Sequence, residues 1–182
     1  MNGKYNGKIK DLVLQAMFTA IIAVCSFVSL PIGSVPFTLQ SLGAFCTAGF
    51  LGTKRGTISV ACYLALGAMG LPIFSGFHGG VGVLLGATGG FLFGFLPVTA
   101  IVGFIAERFE RTFRVLFGAN ILGTAVLHIF GVLWYWAVYN GGSGAGGLLS
   151  AFLAASAPFL LTDLLKAFLA ALLTARLYKF VK

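Results

Sequence analysis

Asp163 and Lys166 are the two residues of this 182-residue chain placed where charge is least expected. They lie three apart in an apolar run, so on a helix they share a face. A carboxylate accepts hydrogen bonds and an ammonium donates them. Together they suit a ligand with donors of its own plus an anionic or carbonyl group. Polar side chains able to join them are Gln40, Ser75, His78, Asn120 and His128. Phe74, Phe77, Phe91, Trp134, Tyr135 and Tyr139 offer the apolar walls that small-molecule pockets require. His78 falls in a glycine-rich loop and is the better contact candidate of the two histidines; His128 reads as a helix–helix hydrogen-bonding residue.

Other chemistries have no foothold. No phosphate-binding Gly-x-x-x-x-Gly-Lys-Ser/Thr loop is present, since Gly52-Thr53-Lys54 lacks the frame, and no His-Glu-x-x-His or carboxylate cluster offers a metal site. Cys25, Cys46 and Cys62 are widely spaced in apolar segments and read as packing residues. An enzyme using Asp163 or the histidines would need a second catalytic group and usually a metal, and neither has a motif here. The chain is read as a non-enzyme with no cofactor and no metal.

The elements that must hold the pair follow from composition. The chain is 59% apolar and 9% charged, with mean hydropathy +1.02, against about 25% charged residues in a soluble domain. Three stretches, Leu12–Thr53, Gly56–Ala106 and Val115–Thr162, carry no Asp, Glu, Lys or Arg. Each is long enough for two spans of about 20 residues and a turn. We therefore expect an all-α integral membrane protein with six transmembrane helices, forming a single domain over 1–182. Their approximate ranges are Ile9–Leu30, Leu39–Gly52, Gly56–Gly70, Val83–Glu107, Phe113–Tyr139 and Ala151–Tyr178, the last with Pro158 in its outer part. The first is read as an uncleaved helix, because no small-x-small site follows it convincingly.

The net charge of +8 invites a nucleic-acid reading that the positions of the charges exclude. Eleven of the twelve basic residues fall in four clusters: Lys4, Lys8 and Lys10; Lys54 and Arg55; Arg108, Arg111 and Arg114; Arg176, Lys179 and Lys182. Cytoplasmic loops collect Lys and Arg. Six spans with both termini cytoplasmic place every cluster on that side, and the opposite connections, near Pro31–Thr38, Pro72–Gly82 and Tyr139–Gly147, carry no charge. Lys166 is the twelfth basic residue. At a rise of about 1.5 Å per residue, Asp163 stands roughly 24 Å above Lys179, in the outer half of the bilayer. Charge at mid-membrane costs about 2.5–3.5 kcal/mol per group even on the lenient insertion scale, and such groups usually mark a substrate or ion path. The pair is read as a binding site open to the outside; the alternative is an ion pair that only locks helix 6 to its neighbours. Seven glycines between Gly76 and Gly90, with no basic residue nearby, suit close approach of backbone to a neutral ligand better than a phosphate cradle.

Four motifs in order carry a resemblance over nearly the whole chain. They are Val35-Pro36-Phe37-Thr38-Leu39-Gln40, then Gly67-Ala68-Met69-Gly70-Leu71-Pro72-Ile73-Phe74-Ser75-Gly76, then Gly79-Gly80 followed by Gly86-Ala87-Thr88-Gly89-Gly90-Phe91, and Pro158 with Asp163-x-x-Lys166. With this topology the chain resembles BioY, the biotin-specific S component of energy-coupling factor (ECF) transporters. Ala87 departs from the family pattern, which usually has Pro there; the change is expected to loosen the start of helix 4 and puts no ligand group in doubt.

The resemblance implies an S-component-like bundle in the cell membrane, with biotin as its transported ligand. Asp163 would take a ureido N–H, and Lys166 would pair with the ligand or hold Asp163 ionised. The loop containing Gln40 and the His78-Gly79-Gly80 turn would close over the ligand, and Phe74, Asn120 and Trp134 complete the expected binding set. The implied partners are an ECF transmembrane coupling subunit, met through Ala16-x-x-x-Ala20 on helix 1, and two ATPase subunits. The protein would topple in the membrane to present its pocket to the cytoplasm. Another vitamin, such as thiamine or riboflavin, or a solitary biotin carrier, are the neighbouring readings.

Overall fold

A computed structural model of the chain describes residues 2–31, 35–139 and 147–181. The chain is helical almost throughout. Helix α1 (Asn2–Phe27) leads into a two-strand ribbon, β1 (Ser29–Leu30) and β2 (Phe37–Thr38), paired antiparallel with Ser29 opposite Thr38. Then come α2 (Gln40–Ala68), a 3-10 turn (Ser75–Phe77), α3 (Val81–Leu84), α4 (Gly89–Arg108) and α5 (Phe113–Trp134). A π-helical turn (Tyr135–Tyr139) extends α5. Helices α6 (Gly147–Ala155) and α7 (Leu160–Val181) close the order, with a 3-10 turn (Ala157–Phe159) between them. The expected outer connections at 32–34 and 140–146, and the side chains of Lys4, Tyr139 and Lys182, lie outside the described residues.

Helix α2 is two limbs. Gly52 holds φ +77, a conformation open to glycine and costly for other residues. The limbs fold back on one another there. Gln40 Nε2 lies 2.6 Å from the Tyr63 hydroxyl, whereas 23 residues of straight helix would separate them by roughly 34 Å. The expected second and third helices are therefore present, joined at Gly52-Thr53. Gly103 of α4 packs directly on that joint, where a Cβ would meet the backbone of Gly52 and Thr53.

Two expected helices are interrupted. The fourth was expected to start at Val83; a short α3 ends at Leu84 and α4 begins at Gly89, because the Trp134 indole donates to the Gly86 carbonyl (3.0 Å) and pins the turn between them. The sixth was expected to be continuous. It breaks at Ser156, since Pro158 lacks an N–H and its ring cannot tolerate the carbonyl four residues back. Helix α1 also begins earlier and ends sooner than Ile9–Leu30, because the chain turns into β1 at Ser29.

Among the described residues, four helices are long and apolar enough to cross a membrane: Gly7–Phe27, Gly89–Arg108, Phe113–Val138 and Gly147–Phe180. The limbs of α2 run only over 40–51 and 53–68. They pack against α1, α4 and α7, while α5 packs against α4 and α7. Tyr63, Phe45, Phe74, Ile22 and Val98 are fully buried between them. Small residues set the distances, as membrane bundles require. Gly43 faces Ile22 and Cys25, Gly49 faces Thr174, and Gly90 lies against Trp134 and the Phe130 carbonyl. Outward, Leu12, Val13, Val24, Phe104, Leu161 and Phe180 are all more than half exposed. A continuous apolar exterior of this kind belongs in lipid.

Candidate functional site

A cleft opens at the end of the bundle where α2, α4 and α7 begin. It holds about 590 Å³ of empty space, its mouth included. Phe37, Phe74, Phe91 and Phe95 supply apolar wall; Thr38, Gln40, Ser41, Ser75, Asp163 and Lys166 supply polar atoms. The break at Pro158 is what delivers the charged pair. It starts α7 afresh at Leu160, so Asp163 falls in the first turn, where the unpaired N–H groups and the helix dipole favour a carboxylate.

Asp163 and Lys166 are both buried. Lys166 Nζ donates to Asp163 Oδ1 at 2.8 Å, and Ser41 Oγ donates to the same oxygen at 2.8 Å. Oδ2 faces His128 Nε2 at 3.2 Å. The Lys166 ammonium also lies 4.2 Å from the centroid of the Phe37 ring, a cation–π contact worth about 0.5–2 kcal/mol. Taking two charges out of water costs several kcal/mol per ion unless each is well partnered; here both are. An ammonium has three protons and a carboxylate about four acceptor positions. The contacts described leave at least one donor and one acceptor direction available to a guest. The pair can therefore grip a molecule that both gives and takes hydrogen bonds.

The rim is stitched by side chains. Gln40 accepts from Thr38 Oγ1 (3.1 Å) and donates to the Tyr63 hydroxyl, which donates to the Ile73 carbonyl at 3.1 Å. Ser26 Oγ donates to the same carbonyl at 2.5 Å, and the Ser29 and Ser75 hydroxyls lie 2.6 Å apart. Phe74 meets Tyr63 edge-on, its ring filling the space left by the missing Cβ of Gly67.

The structure thus brings Asp163, Lys166, Gln40, Phe74, Ser75 and Phe91 to one cleft. The other expected residues lie apart from it. His78 is exposed, its Nδ1 on the Ser75 carbonyl (2.9 Å), in a turn whose Phe77 stacks on Phe27. Gly79 is exposed beside the Leu71 carbonyl, and Gly80 N donates to the Gly67 carbonyl at 2.7 Å. Asn120 is buried and donates to the Ala167 carbonyl (2.9 Å), tying α5 to α7. Trp134 serves the α3–α4 turn. Gly89 lies against the Leu84 carbonyl and the Trp134 ring, and Gly90 against Trp134 and the Phe130 carbonyl. Ala16 and Ala20 lie on the exposed face of α1. His128 does join helices, with Ser156 Oγ 2.7 Å from its Nδ1, and it also reaches Asp163.

Sequence reasoning missed Ser41, Phe37, Tyr63 and Ser156. Ser41 follows Gln40 in the first turn of α2, and Tyr63 carries a polar tip inside an apolar limb; both were legible signals. Ser156 was not, because its role depends on the break beside it.

A helical bundle with a lipid-facing exterior and a small polar grip at one end defines a class: membrane proteins that hold a small ligand between their helices. The structure is similar to the crystal structure of the S-component for biotin from an ECF-type ABC transporter, with a TM-score of 0.86 at 31% identity, covering 98% of this chain and 95% of that one. The biotin transporter BioY of Thermotoga maritima is 39% identical over 171 residues, 94% of this chain and 97% of its own length. That of Rhodobacter capsulatus is 39% identical over 165 residues, 86% and 87% of the two chains. The BioY family model matches residues 1–182, and the chain belongs to the BioY family.

Proposed function

We propose that the chain is the substrate-binding membrane subunit of a vitamin uptake transporter, capturing biotin from outside the cell and delivering it inward with an ATP-driven module. The observation that carries this reading is the buried Asp163–Lys166 pair on the wall of a cleft whose other walls are aromatic, in a chain of the BioY family. Biotin has an apolar bicyclic ring, ureido donors, a ureido carbonyl and a carboxylate. The cleft offers a counterpart to each, with Asp163 accepting from an N–H and Lys166 donating to a carbonyl or carboxylate.

The bundle sits in the cell membrane as one domain of six spans, the limbs of α2 counting as two and α6 with α7 as one. Both termini face the cytoplasm. Supporting this orientation, Lys10, Arg55 and Arg111 meet around one polar hollow at the end away from the cleft, where Arg55 pairs with Asp11 (2.6 Å) and Arg111 stacks on Tyr178. The exposed Ala16 and Ala20 on α1 leave a smooth strip for a transmembrane coupling subunit, itself driven by two ATPases. Purified, detergent-solubilised protein is expected to bind labelled biotin stoichiometrically, with thiamine and riboflavin failing to compete. Absence of biotin binding, or displacement by either competitor, rejects the assignment.

A further inference from the structure

Asp163 Oδ1 is held by two donors, whereas Oδ2 looks toward α5, where the buried Nε2 of His128 stands 3.2 Å away, close enough for attraction but not aligned as a hydrogen bond. That ring is 5% exposed, and Phe91 of α4 meets it edge-on at 6.1 Å between centroids. On its far side Nδ1 lies 2.7 Å from the hydroxyl of Ser156, which is fully buried at the corner between α6 and the 3-10 turn. A neutral imidazole has one N–H and one bare nitrogen, and the partner of one nitrogen fixes the state of the other. If the bare nitrogen faced Asp163, a lone pair would oppose a carboxylate. A hydrogen donated by Ser156 to Nδ1 places the ring hydrogen on Nε2, facing Oδ2.

We propose that Ser156 and His128 form a positioning pair that sets the orientation of the Asp163 carboxylate toward the ligand. Ser156 selects the tautomer, His128 presents its Nε2–H to Oδ2, and Asp163 keeps one acceptor direction turned into the cleft. Neither residue lines the cleft, so they act through Asp163. The arrangement ties ligand recognition to the corner created by Pro158, because Ser156 sits in the break itself. This inference rests on the biotin-binding reading above.

The test is equilibrium binding of labelled biotin to the detergent-solubilised full chain. His128→Leu keeps an apolar side chain but no donor, and is expected to weaken binding about tenfold or more, the effect of removing the donor that would align on the carboxylate once the ligand is bound. His128→Gln places an amide N–H near the position of Nε2 and is expected to restore affinity to within about threefold of the wild type. Ser156→Ala is expected to weaken binding about fivefold. A wild type that binds no biotin overturns the functional reading and this inference with it. Given a wild type that binds, undiminished affinity in His128→Leu overturns the positioning role alone. So does His128→Gln no better than His128→Leu, since the ring then only fills space. Should His128→Leu not fold, unchanged affinity in Ser156→Ala overturns it equally.

Discussion

Asp163 and Lys166 are costly side chains made tolerable by their neighbours. Removing one member leaves the other buried and uncompensated, a loss of about 3–5 kcal/mol, whereas removing both charges together is far milder. Lys166→Gln is therefore expected to lower the thermal unfolding temperature in detergent, and the double variant Asp163→Asn, Lys166→Gln to recover most of it. Asp163→Asn alone is expected to weaken biotin binding by more than about tenfold, or 1.4 kcal/mol, in an equilibrium titration. Unchanged affinity would remove the pair from the site. At this scale the sequence was informative wherever charge was out of place, because any charge in an apolar run asks for an explanation. It was uninformative for Ser156, and for the approach of His128 to Asp163, because these acquire meaning only from what the fold brings against them.

The limbs of α2 and the broken sixth helix show how backbone chemistry places those side chains. Gly52 turns the chain in a conformation that alanine enters at a cost of about 1–3 kcal/mol, and a Cβ there would strike the Glu107 carboxylate, which accepts from Thr53 Oγ1 at 2.8 Å. Gly52→Ala is expected to reduce stability by that order in thermal unfolding while leaving biotin affinity within about twofold, since the turn and the cleft lie at opposite ends of both limbs. The two-helix reading of this region was available from the sequence because Lys54 and Arg55 mark a boundary between apolar runs. The break at Ser156 is half visible: Pro158 marks the place, but proline can either kink or break a helix. The interruption between α3 and α4 falls among Gly86, Gly89 and Gly90, a breaker signal in the sequence, but its pinning by the Trp134 indole from another helix is not readable there.

Across the whole molecule, polarity is sorted along one axis. Basic groups gather at the turn of α2 and the far ends of α4 and α7, the cleft occupies the other end, and apolar side chains cover the flank. This charge map was the most legible property of the sequence, because a bilayer sorts Lys and Arg without regard to the details of packing. The coupling face proposed on α1 offers a test that separates binding from transport. Bulky residues at Ala16 and Ala20 (both to Trp) are expected to abolish uptake of labelled biotin in cells expressing the coupling and ATPase partners. Binding by the isolated chain should stay within about twofold. Loss of binding in that variant would place the face in the ligand site instead.

The 2.8 Å contact between Lys166 and Asp163 has an electrical consequence. Opposite unit charges that travel together form a dipole with no net valence. A voltage across the bilayer, worth about 2.3 kcal/mol per elementary charge per 100 mV, does almost no work on an empty cleft that shifts depth. A guest carrying net charge of its own, such as a carboxylate, would make that displacement electrogenic.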